Sequence, residues 1–272
     1  MKKLLVLAGA VIFCLLISKL SFAEAVGNTA DINFPAGKGI YSSQLSDFIK
    51  LNIGLDTDIL IEKKFKYDSA VTTGAPKLEG QYYTAKLSCT LFDRIQPYLK
   101  FGASNMEMDW NDANGDIKVK AKSSLAYAVG LKAYLWQFEG LGLKVFSSAS
   151  LRSTKPRVKS ISINGSNTSN ITESRFDVLD RQAAIGISRE FKIPGFESVS
   201  LVPYIGAAYS STTARVRVKQ GTNVMNSGAE GQKDNWGLFL GTDFMVMDNL
   251  SLNVEGRFID EKAVNLGFSA LF

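Results

Sequence analysis

Asp56 and Asp58 are the residues whose types and spacing first invite a chemical reading, because two carboxylates held on one surface can divide the work of acid and base. Their surroundings point elsewhere. They lie in an alternating run from Ile49 to Glu62, and on an extended strand residues i and i+2 do no more than share a face. The 272-residue chain has no histidine, so the pair has no proton carrier tuned to neutral pH beside it. The stretch Asp109 to Asp116 has the composition of a calcium loop. Aligning Gly115 with the obligatory glycine, however, puts Trp110 at the first ligand position and Ala121 at the last, where carboxylates are required. No phosphate-binding glycine loop, zinc spacing or nucleophile elbow occurs. The expectation is a non-enzymatic chain with no cofactor and no metal, in which Asp56 and Asp58 are charges to be neutralised by Lys and Arg opposite.

The strand that carries them sets the pattern for the chain. Ile49, Leu51, Ile53, Leu55, Ile59 and Ile61 fall on one face, and Lys50, Asn52, Gly54, Asp56, Asp58 and Glu62 on the other. The same alternation recurs through Tyr83–Leu91, Leu99–Ala103, Leu125–Leu135, Leu141–Leu151, Ala183–Phe191, Val199–Tyr209, Trp236–Val246, Leu250–Phe258 and Val264–Phe272. That predicts an all-β, closed antiparallel transmembrane barrel over residues 47–272, with about ten strands and eight or twelve as alternatives. Asn114-Gly115 and Asn164-Gly165 are hairpin-turn dipeptides, the second within a segment, Val158 to Ile163 and beyond, that extends past the membrane as a hairpin.

Period alone does not distinguish a membrane barrel from a soluble one, because exchanging inside and outside preserves it. Four features do. Connections alternate short (Asp93 to Gln96, Gln137 to Gly140, Lys192 to Ser198, Met247 to Asn249) and long. The strands reach the roughly 9–11 residues that a tilted strand needs to cross hydrocarbon. The charges Asp56, Asp58, Lys86, Lys100, Lys132, Lys144, Asp243, Glu255 and Arg257 all fall on the face opposite the apolar one and form an expected lumen network; Arg189, near a short turn, is the exception. Aromatics on the apolar face divide into an expected girdle toward the long loops (Tyr83, Tyr127, Tyr209, Trp236, Phe258) and one toward the short turns (Phe101, Phe191, Phe244, Phe272).

The first residues read as a secretory signal peptide, 1–23: Lys2-Lys3, an apolar run from Leu4 to Ile17, then Ser21-Phe22-Ala23 before Glu24. Phe13 before Cys14 and Leu15-Leu16 after it do not fit a lipid-anchor site. Losing Lys2, Lys3 and Lys19 takes the 31 basic residues to 28 against 26 acidic ones, so the net +5 is largely the leader's. The remaining Lys and Arg are scattered singly, which excludes a nucleic-acid binder. Cys89 alone is left after cleavage, so no intramolecular disulfide forms. Residues 24–46, with Gly27, Pro35, Gly37 and Gly39, have no period and form a lead-in that either plugs a lumen or lies outside.

The last ten residues place Val264, Leu266, Phe268, Ala270 and Phe272 on one face and stop on the aromatic. This segment, with Gly267 before Phe268, resembles the terminal strand of Gram-negative outer-membrane β-barrels, and Pro97-Tyr98-Leu99-Lys100-Phe101-Gly102-Ala103 and Pro203-Tyr204-Ile205-Gly206-Ala207-Ala208-Tyr209 are similar to the strand openings of that class. The resemblance implies a cell-outer-membrane location and a porin-like barrel. It also implies outer-membrane lipids and the barrel assembly machinery as partners, with Val264, Leu266, Gly267, Phe268 and Phe272 as the assembly signal. Enzymes of that class rely on a histidine, which is absent here. A barrel of about ten strands is little wider than those filled by side chains, so the expected role is structural or surface interaction through the loops Arg152 to Glu173 and Arg215 to Lys233, around a largely occluded polar lumen. A narrow channel for ions or small solutes is the alternative, favoured by small inward residues such as Gly54, Gly102, Gly130, Gly206 and Gly241; a soluble, secreted ligand-binding β-barrel is the third.

Overall fold

The computed structural model describes residues 26, 29, 49–66, 75–112, 115–138, 140–168, 173–220, 223–230, 235–246, 249–259 and 261–272. The expected leader, and the lead-in apart from Val26 and Thr29, lie outside the described residues.

The alternating runs form strands β1 (Ile49–Lys64), β2 (Lys77–Leu91), β3 (Ile95–Asp112), β4 (Gly115–Ala121), β5 (Ser124–Phe138), β6 (Leu143–Thr154), β7 (Val158–Ile163), β8 (Ser166–Thr168), β9 (Glu173–Arg189), β10 (Phe191–Ile193), β11 (Phe196–Gln220), β12 (Asn223–Glu230), β13 (Trp236–Val246), β14 (Leu250–Phe258) and β15 (Glu261–Leu271). Ten of them close a ring in the order β1, β15, β14, β13, β11, β9, β6, β5, β3, β2 and back to β1. Neighbours around the ring are antiparallel, and the first and last strands meet from Asn52 opposite Leu271 to Lys63 opposite Glu261. Closure leaves the ten-stranded ring itself without an open edge, the condition for a sheet to stand in hydrocarbon.

Polarity is inverted relative to a soluble protein. Leu55 (62%), Leu125 (80%) and Leu240 (53%) are exposed on the outer face while Asp243 and Glu255, both 0%, are sealed inside. A soluble ligand-binding barrel needs the opposite arrangement, so the chain is a transmembrane β-barrel.

Several strands run past the membrane. β11, at 25 residues, pairs β13 from Val199 to Tyr209 and then β12 from Thr213 to Gln220. β3 likewise pairs β5 from Ile95 to Ser104 and β4 from Glu107 to Asp112, and β4 passes the sheet on to β7 and β8. Within the expected loop Arg152 to Glu173 the hairpin expected at Asn164-Gly165 is present as β7 and β8, and it pairs with β4. The segment Arg215 to Lys233, expected as a loop, is in large part the strand pair of β11 and β12. Asn164 and Gly165, with φ of 50° and 81°, make the tight turn between β7 and β8.

Inward residues form layers. Beneath the extramembrane strands lies an apolar cluster that includes Leu60, Tyr82, Met106, Trp110, Phe176 and Val216. Enclosing a side chain such as Phe176 contributes about 1.5–3 kcal/mol relative to water. At the short-turn end Val202, Met245 and Leu271 form a smaller apolar group. Between the two lie the charges.

Candidate functional site: the barrel interior

Alternation brings the interior side chains together from strands far apart in sequence. Asp58 on β1 accepts from Arg152 Nη1 (β6) at 2.5 Å on one oxygen and from Arg257 Nη2 (β14) at 2.7 Å on the other. Arg152 donates from Nε and Nη2 to Asp180 on β9 at 3.0 and 2.9 Å, and its guanidinium lies 3.7 Å from the centre of the Tyr82 ring. Arg257 Nε meets Glu261 at 2.5 Å, and Glu261 in turn accepts from Lys63 Nζ at 2.7 Å. Asp180, Arg152, Asp58, Arg257, Glu261 and Lys63 thus alternate in sign across the lumen. Burying one such charge unpaired costs several kcal/mol, so each member holds its neighbours in place.

A second network lies nearer the short turns. The Tyr204 hydroxyl donates to Glu255 Oε2 at 3.0 Å and accepts from Asn253 Nδ2 at 2.8 Å, and Asn253 also reaches Asp243 Oδ1 at 2.5 Å. Two residues from the lead-in enter here. Val26 N donates to Glu255 Oε1 at 3.2 Å, and Thr29 donates to Asp243 Oδ2 from its backbone N (2.9 Å) and its hydroxyl (2.6 Å). The Tyr134 hydroxyl closes on the Thr29 carbonyl at 2.8 Å. On the facing wall Lys100 pairs with Asp56 at 3.1 Å, and the Lys100 and Lys132 ammoniums lie 5.5 and 5.8 Å from the Tyr98 ring centre.

The space beside the inward glycines is occupied. A methyl group on Gly130 would overlap the Tyr98 ring, one on Gly241 the Tyr204 ring, and one on Gly206 the Phe239 ring. Phe146, Tyr204 and Phe239 pack on one another with centroids 6.1 to 6.2 Å apart. A cavity lined by Asp56, Asp58, Tyr82, Thr84, Lys100 and Arg152 measures about 10 Å³, the room of a single water.

Of the residues expected to form the lumen network, Asp56, Asp58, Lys86, Lys100, Lys132, Asp243, Glu255 and Arg257 are buried in the interior. Lys144 is half-buried at the short-turn end, its ammonium 5.4 Å from the Tyr134 ring centre. Glu62, expected inward, faces out. A bulge after Leu60 shifts the phase of β1, so Lys63 and Phe65 turn inward while Glu62 meets Lys64, Lys77 and Lys262 on the surface. Lys63, Arg152, Asp180 and Glu261 were not foreseen. Extending the even-numbered face of β6 by one inward position finds Arg152, and that of β9 by two, through Gln182, finds Asp180, whereas the bulge conceals Lys63.

Tyr83, Tyr127, Trp236, Phe258, Phe101, Phe191, Phe244 and Phe272 are exposed on the outer face, and Tyr209 is half-buried, edge-on to Trp236 at 5.2 Å. Phe101 does not sit apart from the long-loop girdle: the register of β3 on β5, from Ile95 opposite Ala133 to Ser104 opposite Ser124, pairs it directly with Tyr127. Arg189 is exposed at the end of β9, its guanidinium 5.0 Å from the Phe191 ring centre. Val264, Leu266 and Phe268 of β15, and Phe272 just after it, face outward, and Gly267 faces in, where a Cβ would come 2.7 Å from the Asp56 carboxylate. Ala270, expected on the exposed face, is buried between Ile53 and Leu250. The chain end is tied down by Phe272 N donating to the Leu51 carbonyl at 2.8 Å.

Every carboxylate in the two networks holds a cation, a hydroxyl or an amide. Among the described residues no group of three or more His, Cys, Asp or Glu is placed to hold a metal ion.

No protein-family model matches the chain, and no curated protein matches its sequence. Solved structures that it resembles include the translocator domain of autotransporter NalP from Neisseria meningitidis, at 11% identity over 87% of this chain and 91% of that one, with a TM-score of 0.43. The outer membrane protease OmpT from Escherichia coli matches at 12% identity over 83% and 97%, with a TM-score of 0.42. The outer membrane protein OprG from Pseudomonas aeruginosa matches at 12% identity over 83% and 96%, with a TM-score of 0.40. Scores this low lend nothing to a functional reading. The reading of the chain as a membrane barrel stands on its closure and its inverted polarity.

Proposed function

We propose that the chain is a non-enzymatic outer-membrane barrel whose lumen is closed to solutes and whose role is structural or surface interaction. Its ground for contact is the extramembrane sheet of β4, β7 and β8 and the paired ends of β11 and β12, and its partners are outer-membrane lipids, the assembly machinery during insertion, and molecules that meet those strands. The observation that carries the reading is the charge ladder from Asp180 to Lys63, set between an apolar cluster on one side and the Val26–Thr29 docking on the other. A wide pore instead keeps its inward charges hydrated along a continuous water column.

Planar-bilayer recording tests this directly. The mature chain is refolded in detergent, insertion is verified by the unboiled-versus-boiled gel shift, and current is measured across the bilayer. Silence from verified inserted protein is the expected result. Discrete, reproducible steps whose ion selectivity changes when Lys100 or Lys132 is neutralised would sink the closed-lumen reading in favour of a narrow channel.

A further inference from the structure

Val26 enters the lumen at a place suited to a chain end. Its nitrogen lies 3.2 Å from Glu255 Oε1, and Val26 and Glu255 are both buried, at 1% and 0% exposure. Three residues later Thr29 is held by Asp243, which faces Asn253 on β14, two residues nearer the short turns than Glu255. Thr29 therefore lies nearer than Val26 to the short-turn mouth, where β1 begins at Ile49 opposite Leu91. On the other side of Val26 stand Arg257, Asp58 and Arg152, and then the apolar cluster. The sequence just before Val26 is Ala23-Glu24-Ala25, the small-x-small arrangement after which a leader peptidase cuts, and it follows the basic start and apolar run of a leader.

We infer that the chain is cut between Ala25 and Val26, two residues beyond the Ala23 boundary, and that the freed α-ammonium of Val26 is a buried counter-ion of Glu255. The inference rests on the exported outer-membrane reading. In the cut, water supplies a hydroxyl to the Ala25 carbonyl carbon and a proton to the Val26 nitrogen as the C–N bond breaks. The amine takes up a further proton at neutral pH. What faces Glu255 then changes from one neutral peptide N–H to a cation with three donors, and charge-assisted hydrogen bonds are the stronger kind. Arg257 also reaches Glu255, at 3.5 Å, besides Asp58 and Glu261, so the terminal cation joins an interior in which buried carboxylates and cations already alternate. Removal of the leader thereby becomes part of completing the interior.

The test has two arms. The full chain is expressed with its own leader in a Gram-negative host and purified from the outer-membrane fraction; intact mass and N-terminal sequencing should give Val-Gly-Asn-Thr. Membrane-inserted protein that begins at Glu24, or retains Met1, overturns the inference while leaving the barrel reading intact, whereas protein recovered only from soluble fractions overturns the barrel reading itself. In the second arm the processed chain is compared with a refolded chain that begins with Met before Glu24. The extended chain should lose its gel-shift form at a temperature several degrees lower, and the gap should close when both carry Glu255→Gln. Equal midpoints in the wild-type pair overturn the ion pair.

Discussion

The guanidinium of Arg257 and the carboxylate of Asp58 meet at 2.7 Å although their strands, β14 and β1, do not touch, being separated by β15. The contact bridges the seam at which the barrel closes. Asp58→Asn leaves Arg152 and Arg257 facing each other across a neutral amide and should destabilise the barrel by about 3–5 kcal/mol, the range for removing one partner of a buried ion pair. Urea titration followed by the gel shift measures it, and a loss below about 1 kcal/mol would contradict a structural role for the ladder.

The Tyr98 ring fills the space over Gly130. Gly130→Ala should cost about 1–3 kcal/mol by overpacking. Combined with Tyr98→Ala, which vacates the space, the loss should fall clearly short of the sum of the two single losses; strict additivity would mean that ring and glycine do not interact.

Leu266 faces lipid in the middle of β15 and Ile193 faces outward beside the Pro194–Gly195 turn. Arg at Leu266 should cost about 2–4 kcal/mol, and Arg at Ile193 about 0–1 kcal/mol, because the penalty for a cation falls toward the interface. Equal costs at both positions would place the bilayer elsewhere on the barrel.

Outside the ring, on β4, Lys118 bonds Glu107 closely and lies 3.6 Å from Asp109. The hydrogen bond to Glu107, with help from Asp109, raises the lysine above its ordinary 10.5. A raised cation contributes its stability fully below the unfolded value and loses it as pH climbs through the folded one. Because Lys118 is 43% exposed, Lys118→Met should cost under about 1 kcal/mol. Unfolding midpoints at neutral pH and above the raised range should differ between variant and parent only in the first.

Much of this architecture is legible in the alternation. A period of two identifies the ten ring strands, and the lack of charge on the apolar face orients them. What escapes is whatever depends on a neighbour. Lys63 and Glu62 exchange sides because one inserted residue in β1 reverses the phase, which no count along the strand reveals. The hairpin of β7 and β8 is readable at Asn164-Gly165, but its pairing with β4 is not. The inward glycines suggest open space until the strands beside them are known, for the rings of Tyr98 and Tyr204 reach over from adjacent strands. Val26 and Thr29 are invisible to periodicity, since the sequence around them has no alternation.

The bulge in β1 has a further consequence for how the barrel closes. In a perfectly regular strand, β1 could slide along β15 by two residues and still present every side chain to its proper face, so nothing in the alternation forbids a misaligned closure. The extra residue after Leu60 interrupts the ladders to both β2 and β15 at one height. A two-residue slip would carry that interruption past its fixed partners and pull Lys63 away from Glu261. The bulge therefore serves as an index mark on the seam, limiting the joining of first and last strands to one alignment.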